Sequence, residues 1–455
     1  MEPERRAGHW WRPEAPDRRI AGSLDTSGDG PIRLELLDLL TDGYGHNRYD
    51  VVLGTTADGL PVTLESLQQI GRSGHSSRRL ETPVDTEVLM PRVAYLGAHL
   101  ATTESRTFKR AVVDLTDLIV WAGDSGIAEE FGPEPVELSI SVSNPPPLRA
   151  DVGFGSLSLR HGWSTTGDAV RSRGIEKSVG FVVELDGALA MEDWLARVVN
   201  PLRHFLTFAT DRPNEVTQLT FKTLIYDEVH GSDVHTEYRK VSVHDSIAPA
   251  NDFEFLFDAR TLGSAFAATL KTWFAIYARQ GPILDLYLGP SYRPGTFAEN
   301  HFLNAVAAAE GYHRATFPNA LVPAAQHRAR LKVIADAASP EDRAWLQERL
   351  AFSNEPTLRN RLVDLHERTM QIVSGVLGSA EDFAGPIVRA RNALTHRGNG
   401  TPKPTEPVPE LWRLTEQTNF LITACLLLDL GFDEMSAVNA TRRSRRFRML
   451  TEVRY

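Results

Sequence analysis

The spacing of apolar residues changes its period partway along this chain, and no single kind of secondary structure can follow both periods. Up to about residue 185 the period is two. Ile32-Arg-Leu-Glu-Leu-Leu alternates, as does Val136-Glu-Leu-Ser-Ile-Ser-Val, which Asn144 and three prolines bring to an end. Alternation of this kind puts one face of a strand in a core and the other in water. Tyr49-Asp-Val-Val-Leu-Gly and Pro61-Val-Thr-Leu flank Asp58-Gly59, a turn pair that predicts a hairpin. Leu157–Arg160, Gly180–Leu185 and Val216–Leu224 add further short strands, a pattern that suggests a sandwich or barrel.

From about Ala190 a helical period enters. Trp194, Leu195, Val198, Val199, Leu202, Phe205 and Leu206 form one stripe, with a kink expected at Pro201. Leu262, Phe266, Leu270, Trp273, Phe274 and Tyr277 form another. Beyond the loop Gly289-Pro-Ser-Tyr-Arg-Pro-Gly295 everything reads as helix: Phe297–Phe317, Ala324–Ala337, Pro340–Ala351, Thr357–Leu377, Glu381–Arg397 and Glu410–Leu430, then a short basic helix. The prolines of Thr401–Pro409 stiffen a connector. Strands followed by helices predict an α+β chain of two domains: a β-rich, sandwich- or barrel-like domain with added helices over residues 1–290, and an all-α bundle over 296–455.

A chain of 455 residues is too long for one core, and 42% hydrophobic with 24% charged residues is a folded composition. Cys425, the lone cysteine, lies in the apolar run Phe420–Leu428 and is expected in the core. No apolar stretch reaches the roughly 18 residues that span a bilayer, and Met1–Glu14 lacks the apolar segment of a secretory signal. The expectation is a cytoplasmic protein without a membrane partner. A net charge of −10 excludes a broad basic face that coats nucleic acid, but leaves room for a local basic cleft. The arginine-rich tail Thr441–Arg448 shows how unevenly the positive charge is spread; a solvated helix end accounts for it as well as an RNA contact does.

The most informative stretch is Pro386-Ile-Val-Arg-Ala-Arg-Asn-Ala-Leu-Thr-His-Arg-Gly-Asn-Gly400. Gly398 and the prolines beyond it stop the helix, so His396 is expected in its last turn, where unpaired carbonyls favour an imidazolium. Asn392 precedes His396 by four residues and shares its face, while Arg391 is about 100° round the helix. A cation, an amide and a titratable base at one rim are what RNA cleavage by internal transesterification requires, with no metal or other cofactor. The base takes the proton of a ribose 2′-hydroxyl, and the cation steadies charge on the attacked phosphate. DNA lacks that hydroxyl. The spacing itself is weak, since Arg239/His244 and Arg361/His366 repeat it. Context separates them: Arg239 and His244 fall in a strand-like stretch, and Leu362 follows Arg361. A helix-capping histidine beside a surface arginine also accounts for Arg391 and His396.

Arg391-Asn-Ala-Leu-Thr-His396 resembles the Arg-polar-x-x-x-His signature of HEPN ribonucleases, which are small helical bundles. More specifically, the chain resembles the ApeA-like anti-phage defence proteins. Phe302-Leu-Asn-Ala-Val-Ala-Ala-Ala-Glu-Gly-Tyr-His-Arg314, Asn354-Glu-Pro-Thr-Leu-Arg-Asn-Arg-Leu362 and the Arg391 stretch carry the likeness at the C-terminus. Gly8-His-Trp-Trp-Arg-Pro13, Ile20-Ala-Gly-Ser-Leu24 and Val52-Leu-Gly-Thr-Thr carry it at the N-terminus. The resemblance implies a homodimer or higher homo-oligomer with paired Arg-His sets, RNA as substrate with tRNA one candidate, and toxicity released by a phage-derived trigger. Phe420–Leu430 is a candidate contact surface for such a dimer. Glu310 and Arg314, four apart, read as a helical ion pair; the resemblance instead sets Glu310 beside Arg391, orienting it.

Three other constellations are weaker. Gly123-Asp-Ser-Gly126 reads as a polar turn rather than a protease nucleophile, and Tyr226–His235 as a solvated loop rather than a metal site. Gly153-Phe-Gly155 lacks the third glycine of a dinucleotide loop. Two rival functions stand beside the nuclease: a non-catalytic HEPN-type dimerisation or nucleotide-binding protein, and a small-ligand module in the N-terminal half, suggested by Trp10 and Trp11, a pair that also suits a core.

Overall fold

Asp58-Gly59 makes the hairpin its sequence predicts, with Gly59 in the left-handed region at φ 87°. That hairpin belongs to a computed structural model that describes residues 5–26, 30–41, 47–74, 85–123, 126–132, 138–168, 170–222, 233–238, 249–293, 295–395 and 407–452. The chain divides into two units, Met1–Asp252 with Asp258–Lys271, and Phe253–Phe257 with Thr272–Tyr455.

In the first unit, β1 (Arg5–Trp11), β2 (Ile20–Asp25), β3 (Arg33–Leu36), β4 (Arg48–Thr56), β5 (Pro61–Gly74) and β6 (Asp85–Met90) pair antiparallel. The pairings run β1–β2–β3–β6–β5–β4 and return to β1, a closed six-stranded barrel. Closure removes the free edges on which strands aggregate. Inward-facing Trp10, Leu24, Leu34, Val52, Leu64 and Leu89 fill it. Glu87 is buried with them, its carboxylate accepting from the Tyr49 hydroxyl at 3.1 Å and from the Leu40 N–H at 3.0 Å.

β5 serves two sheets along one edge. Residues 62–65 pair with β7 (Val93–Leu96) and residues 68–74 with β6. Ser66 stands at the changeover with φ 54°, a rare non-glycine residue in the left-handed region. Through β7 the sheet continues as β15–β14–β8–β13–β12–β11, built from β8 (Phe108–Leu115), β11 (Leu148–Asp151), β12 (Gly155–Thr166), β13 (Gly174–Leu189), β14 (Val216–Lys222) and β15 (Asp233–Tyr238). β9 (Ile127–Phe131) and β10 (Leu138–Val142) form a separate pair.

The apolar face of this open sheet is covered by α1 (Leu118–Ala122) and by the run of α2 (Met191–Trp194), one π-type turn over Leu195–Val199, and α3 (Asn200–Thr210). Trp121 meets Phe181 and Phe205, and Trp194 meets Phe221 while its Nε1–H donates to the Phe108 carbonyl at 2.9 Å. The kink expected at Pro201 takes the form of that π-type turn. Proline has no N–H to give to residue 197 and its ring crowds that carbonyl, so the turn before it widens. Trp10 and Trp11 are both buried, as core residues. Gly123 and Gly126 are left-handed, as a tight turn requires; Asp124 and Ser125 lie outside the described residues.

α4 (Ala259–Leu262) belongs to the first unit, and α5 (Phe266–Leu288) carries the chain into the second. There α6 (Ala298–Thr316), α7 (Ala324–Ala337), α8 (Pro340–Arg349), α9 (Leu358–Arg368), α10 (Met370–Leu377), α11 (Ala380–Thr395), α12 (Val408–Asp429), α13 (Glu434–Arg443) and α14 (Arg445–Glu452) follow. The helix expected over 357–377 breaks into α9 and α10 at Thr369, whose hydroxyl donates to the Leu365 carbonyl at 2.8 Å. α12 packs along α6, and α11 rests on α9 and α6. Phe420–Leu427 is buried within the chain, so that stretch is core and not the free contact surface its apolarity suggested. Cys425 is fully buried there, and burial pushes its thiol up to about 12, beyond the range of a reactive thiolate. No helix among the described residues is long and apolar enough to cross a membrane.

The barrel makes one sharp prediction. A Cβ at Gly54 would stand 2.1 Å from Cε3 of the Trp10 ring. Gly54→Ala should therefore destabilise the protein by about 1–3 kcal/mol, although glycine-to-alanine in an unobstructed strand stabilises it by roughly 0.5–1 kcal/mol. A thermal melt decides the sign; a raised midpoint would mean that Trp10 does not lie across Gly54.

Candidate functional site

Two polar assemblies stand out in the helical unit, one buried and one at a helix end. The buried one joins α6 to α9. Arg361 has no exposed surface, although arginine is seldom enclosed unless it is paired. Its Nη1 donates to Nδ1 of His313 at 3.0 Å, and its Nη2 to Asn319 Oδ1 at 2.6 Å and to Glu355 Oε2 at 3.4 Å. Its Nε lies 4.0 Å from Glu310 Oε1. His313, equally enclosed, donates from Nε2 to Asp364 Oδ2 at 2.8 Å and stacks on Phe317. Burial holds the His313 pKa below its usual value, against the opposing pull of Asp364. A neutral ring with its proton on Nε2 satisfies both bonds.

Glu310 and Arg314 form the predicted ion pair at 3.2 Å, and Arg314 also reaches Glu355 at 2.8 Å. Glu310 thus faces Arg314 and Arg361. A neighbouring cross-link ties α6 and α9 to α12: Arg368 donates to the Tyr312 hydroxyl at 2.8 Å, and both bind Asp429.

Of the three Arg-x4-His pairs, the second is removed from any substrate by this packing. Arg361 is enclosed, and His366 is buried with its Nε2 bonded to the Gly378 carbonyl at 3.0 Å. The first pair, Arg239 and His244, lies outside the described residues.

The third pair brings the helix end. Ser379 caps α11, its hydroxyl accepting from the Asp382 N–H at 3.2 Å, and Phe383, Ala384, Ile387 and Ala390 bury the inner face. Arg391 is half-buried at the edge of that face, and Asn392 is exposed beside it. Arg391 Nη1 donates to Asn392 Oδ1 at 3.3 Å, which keeps the guanidinium and the amide together. The Thr395 hydroxyl donates to the Arg391 carbonyl at 2.9 Å and occupies one acceptor of the last turn. α11 is described as far as Thr395; His396, the next residue, lies outside the described residues, as do Gly398 and most of the proline connector. What the described part offers is a fixed cation and an amide at one rim, suited to an anion.

The sequence singles out Glu310, His313, Arg314 and Arg361 and pairs Glu310 with Arg314, but nothing in it brings Arg361 to them. Asn319 and Asp364 carry no signal there, because partners 42 and 51 positions away leave no local pattern. Among the described residues no three His, Cys, Asp or Glu side chains gather as a metal would need; residues 223–232, which include most of the acid- and histidine-rich loop, lie outside them.

Comparison with known proteins places these two units. The family described as ApeA N-terminal domain 1 matches residues 5–273, and the family described as Apea-like HEPN matches residues 303–436. No curated protein and no solved structure matches the chain. The first match covers more than half of the sequence, and the second covers α6, α9 and α11 with the residues just described. The chain belongs to the ApeA-like family, an ApeA N-terminal domain followed by a HEPN domain.

Proposed function

We propose that the helical unit is a metal-independent endoribonuclease of an anti-phage defence system, acting by abortive infection. The observation that carries this reading is the held pair of Arg391 and Asn392 in the last described turn of α11, immediately before His396 in sequence. In the reaction, His396 takes the proton from a ribose 2′-hydroxyl. The 2′-oxygen attacks the adjacent phosphorus, the bond to the 5′-oxygen breaks, and that oxygen leaves with a proton. The products carry a 2′,3′-cyclic phosphate and a 5′-hydroxyl. Arg391 clamps the phosphate as its charge grows, and Asn392 orients either the imidazole or a phosphate oxygen. Glu310 and Arg314 act at one remove, by completing the shell around Arg361 that sets α9 and α6 beneath α11.

The HEPN family favours a homodimer or higher homo-oligomer with two Arg-His sets near one RNA, and tRNA is one candidate substrate. Residues 1–290 then serve as the regulatory part, released by a phage-derived trigger, with residues 296–455 catalytic. The family match itself keeps a second reading in view, in which the HEPN unit binds and dimerises without cutting.

Expression of the wild type and of His396→Ala in cells separates the two. Growth arrest with discrete RNA ends bearing 5′-hydroxyls in the wild type alone is the expected outcome, with cleavage reduced about 10²–10⁴-fold in the variant. Equal behaviour would leave the binding protein as the better account. Cleavage in vitro should survive a chelator.

The two Arg-x4-His pairs should also part company. Arg361→Ala empties a buried site and leaves His313 and the half-buried Glu310 and Glu355 without their cation, and should lose about 2–5 kcal/mol of stability. Arg391→Ala should cost no more than about 1 kcal/mol, yet slow cleavage about 10²–10³-fold. Melting curves and initial rates on both variants check this. A stable Arg361 variant without activity would move the chemistry to the buried pair.

A further inference from the structure

Two guanidinium groups converge on Gly385, where α11 lies against α9. A Cβ built at Gly385 would meet Nη1 of Arg389 at 3.3 Å and Nη2 of Arg359 at 3.6 Å, so the two nitrogens are within about 7 Å of each other. Arg359 is paired with Glu381, which neutralises one of the two charges. Arg389 is exposed, and among the described residues it has neither a hydrogen bond nor an ion pair. Arg359 also sits in the first turn of α9, where the helix dipole is already positive and a cation stands against the field. Glu381 compensates only one of these like charges, which leaves the other for a further anion. Gly385 keeps that side of α11 clear of a side chain of its own.

Helical geometry connects this place to the proposed catalytic end. Asn392 follows Arg389 by three residues, about 4.5 Å along the axis and on the same exposed face. Going round the helix, Asn392 falls between Arg389 on one side and Arg391 on the other. A strand whose phosphate is clamped at Arg391 and that crosses Asn392 therefore arrives at Arg389.

We propose that Arg359 and Arg389, over Gly385, form a second phosphate subsite that holds the backbone of single-stranded RNA beside the phosphate being cut. The substrate in this inference rests on the nuclease reading above; the anion-binding geometry does not. Guanidinium groups suit the task because each presents paired donors to phosphate oxygens, and two of them grip a phosphate from both sides.

The test uses the full chain carrying His396→Ala, so that RNA is bound and not consumed, with a labelled single-stranded oligoribonucleotide titrated at several salt concentrations. Adding Arg389→Ala should weaken binding about tenfold and lower the slope of log affinity against log salt by about 0.7, the loss of one single-strand phosphate contact. Arg389→Lys should restore the slope but not all of the affinity. The thermal midpoint should stay unchanged, since Arg389 holds nothing in the fold. An Arg389→Ala protein with the parental affinity and slope overturns the subsite, as does a parent that binds no RNA. If the slope falls as expected while the wild type cuts no RNA, the subsite stands and the nuclease reading fails. If the wild type cuts RNA and Arg389→Ala leaves its KM untouched, the subsite alone is wrong.

Discussion

The helical unit is organised around an arginine that has no access to water. Enclosing the Arg361 guanidinium would be prohibitive by itself, since removing an ion from water costs several kcal/mol even after relaxation. The unit offsets that cost by surrounding Arg361 with acceptors drawn from three places: His313 and Glu310 on α6, Asn319 beyond its end, and Glu355 just before α9. Because these partners come from segments far apart in sequence, they meet Arg361 only when α6 and α9 are in one register, and Nε is left without a hydrogen-bond acceptor. α11 rests on both, so the direction in which Arg391 and Asn392 are presented is inherited from that register. A charge sealed inside the bundle thus fixes the place of one at its rim.

How much of this was legible in the sequence depended on whether the cause was local. The β4–β5 hairpin was, because Asp58-Gly59 carries its own turn geometry. α7 and α8 were too, since Pro323 and Ser339 mark their starts and Ser339 caps Asp342 directly. Barrel closure was not. It depends on β3 meeting β6 across some fifty residues and on β1 meeting β4, and alternation says only that strands are half-buried, not whom they pair with. The break at Thr369 was hidden for a related reason: apolar residues keep a helical period through it, and only the Thr369 backbone leaves helical values, at φ −110° and ψ 14°.

The site divides in the same way. Arg391 and Asn392 are neighbours in sequence, and their contact needs nothing beyond helical geometry. The apolar residue after Arg361 was a fair sign that its helix face turns inward, and Leu362 and Arg361 are indeed buried side by side. What no spacing rule supplies is the reason an arginine can be buried at all. His313 and Asp364 lie on different helices, and their bond exists only once the bundle has formed.

The chain is negative overall at −10, and a polyanion would be repelled by it if long-range fields decided binding. At physiological ionic strength fields fade over about 8 Å, so what counts is the balance within that radius. In several places in the helical unit that balance is neutral. Arg314, Arg368, Arg413 and Arg446 each have a carboxylate, and the acidic first turn of α11 supplies Glu381 to Arg359. On the outer face of α11 Arg389 and Asn392 are both exposed, and among the described residues Arg389 has no partner. A chain that is acidic as a whole is a poor coat for nucleic acid, while a local cation without a carboxylate stays open to an anion.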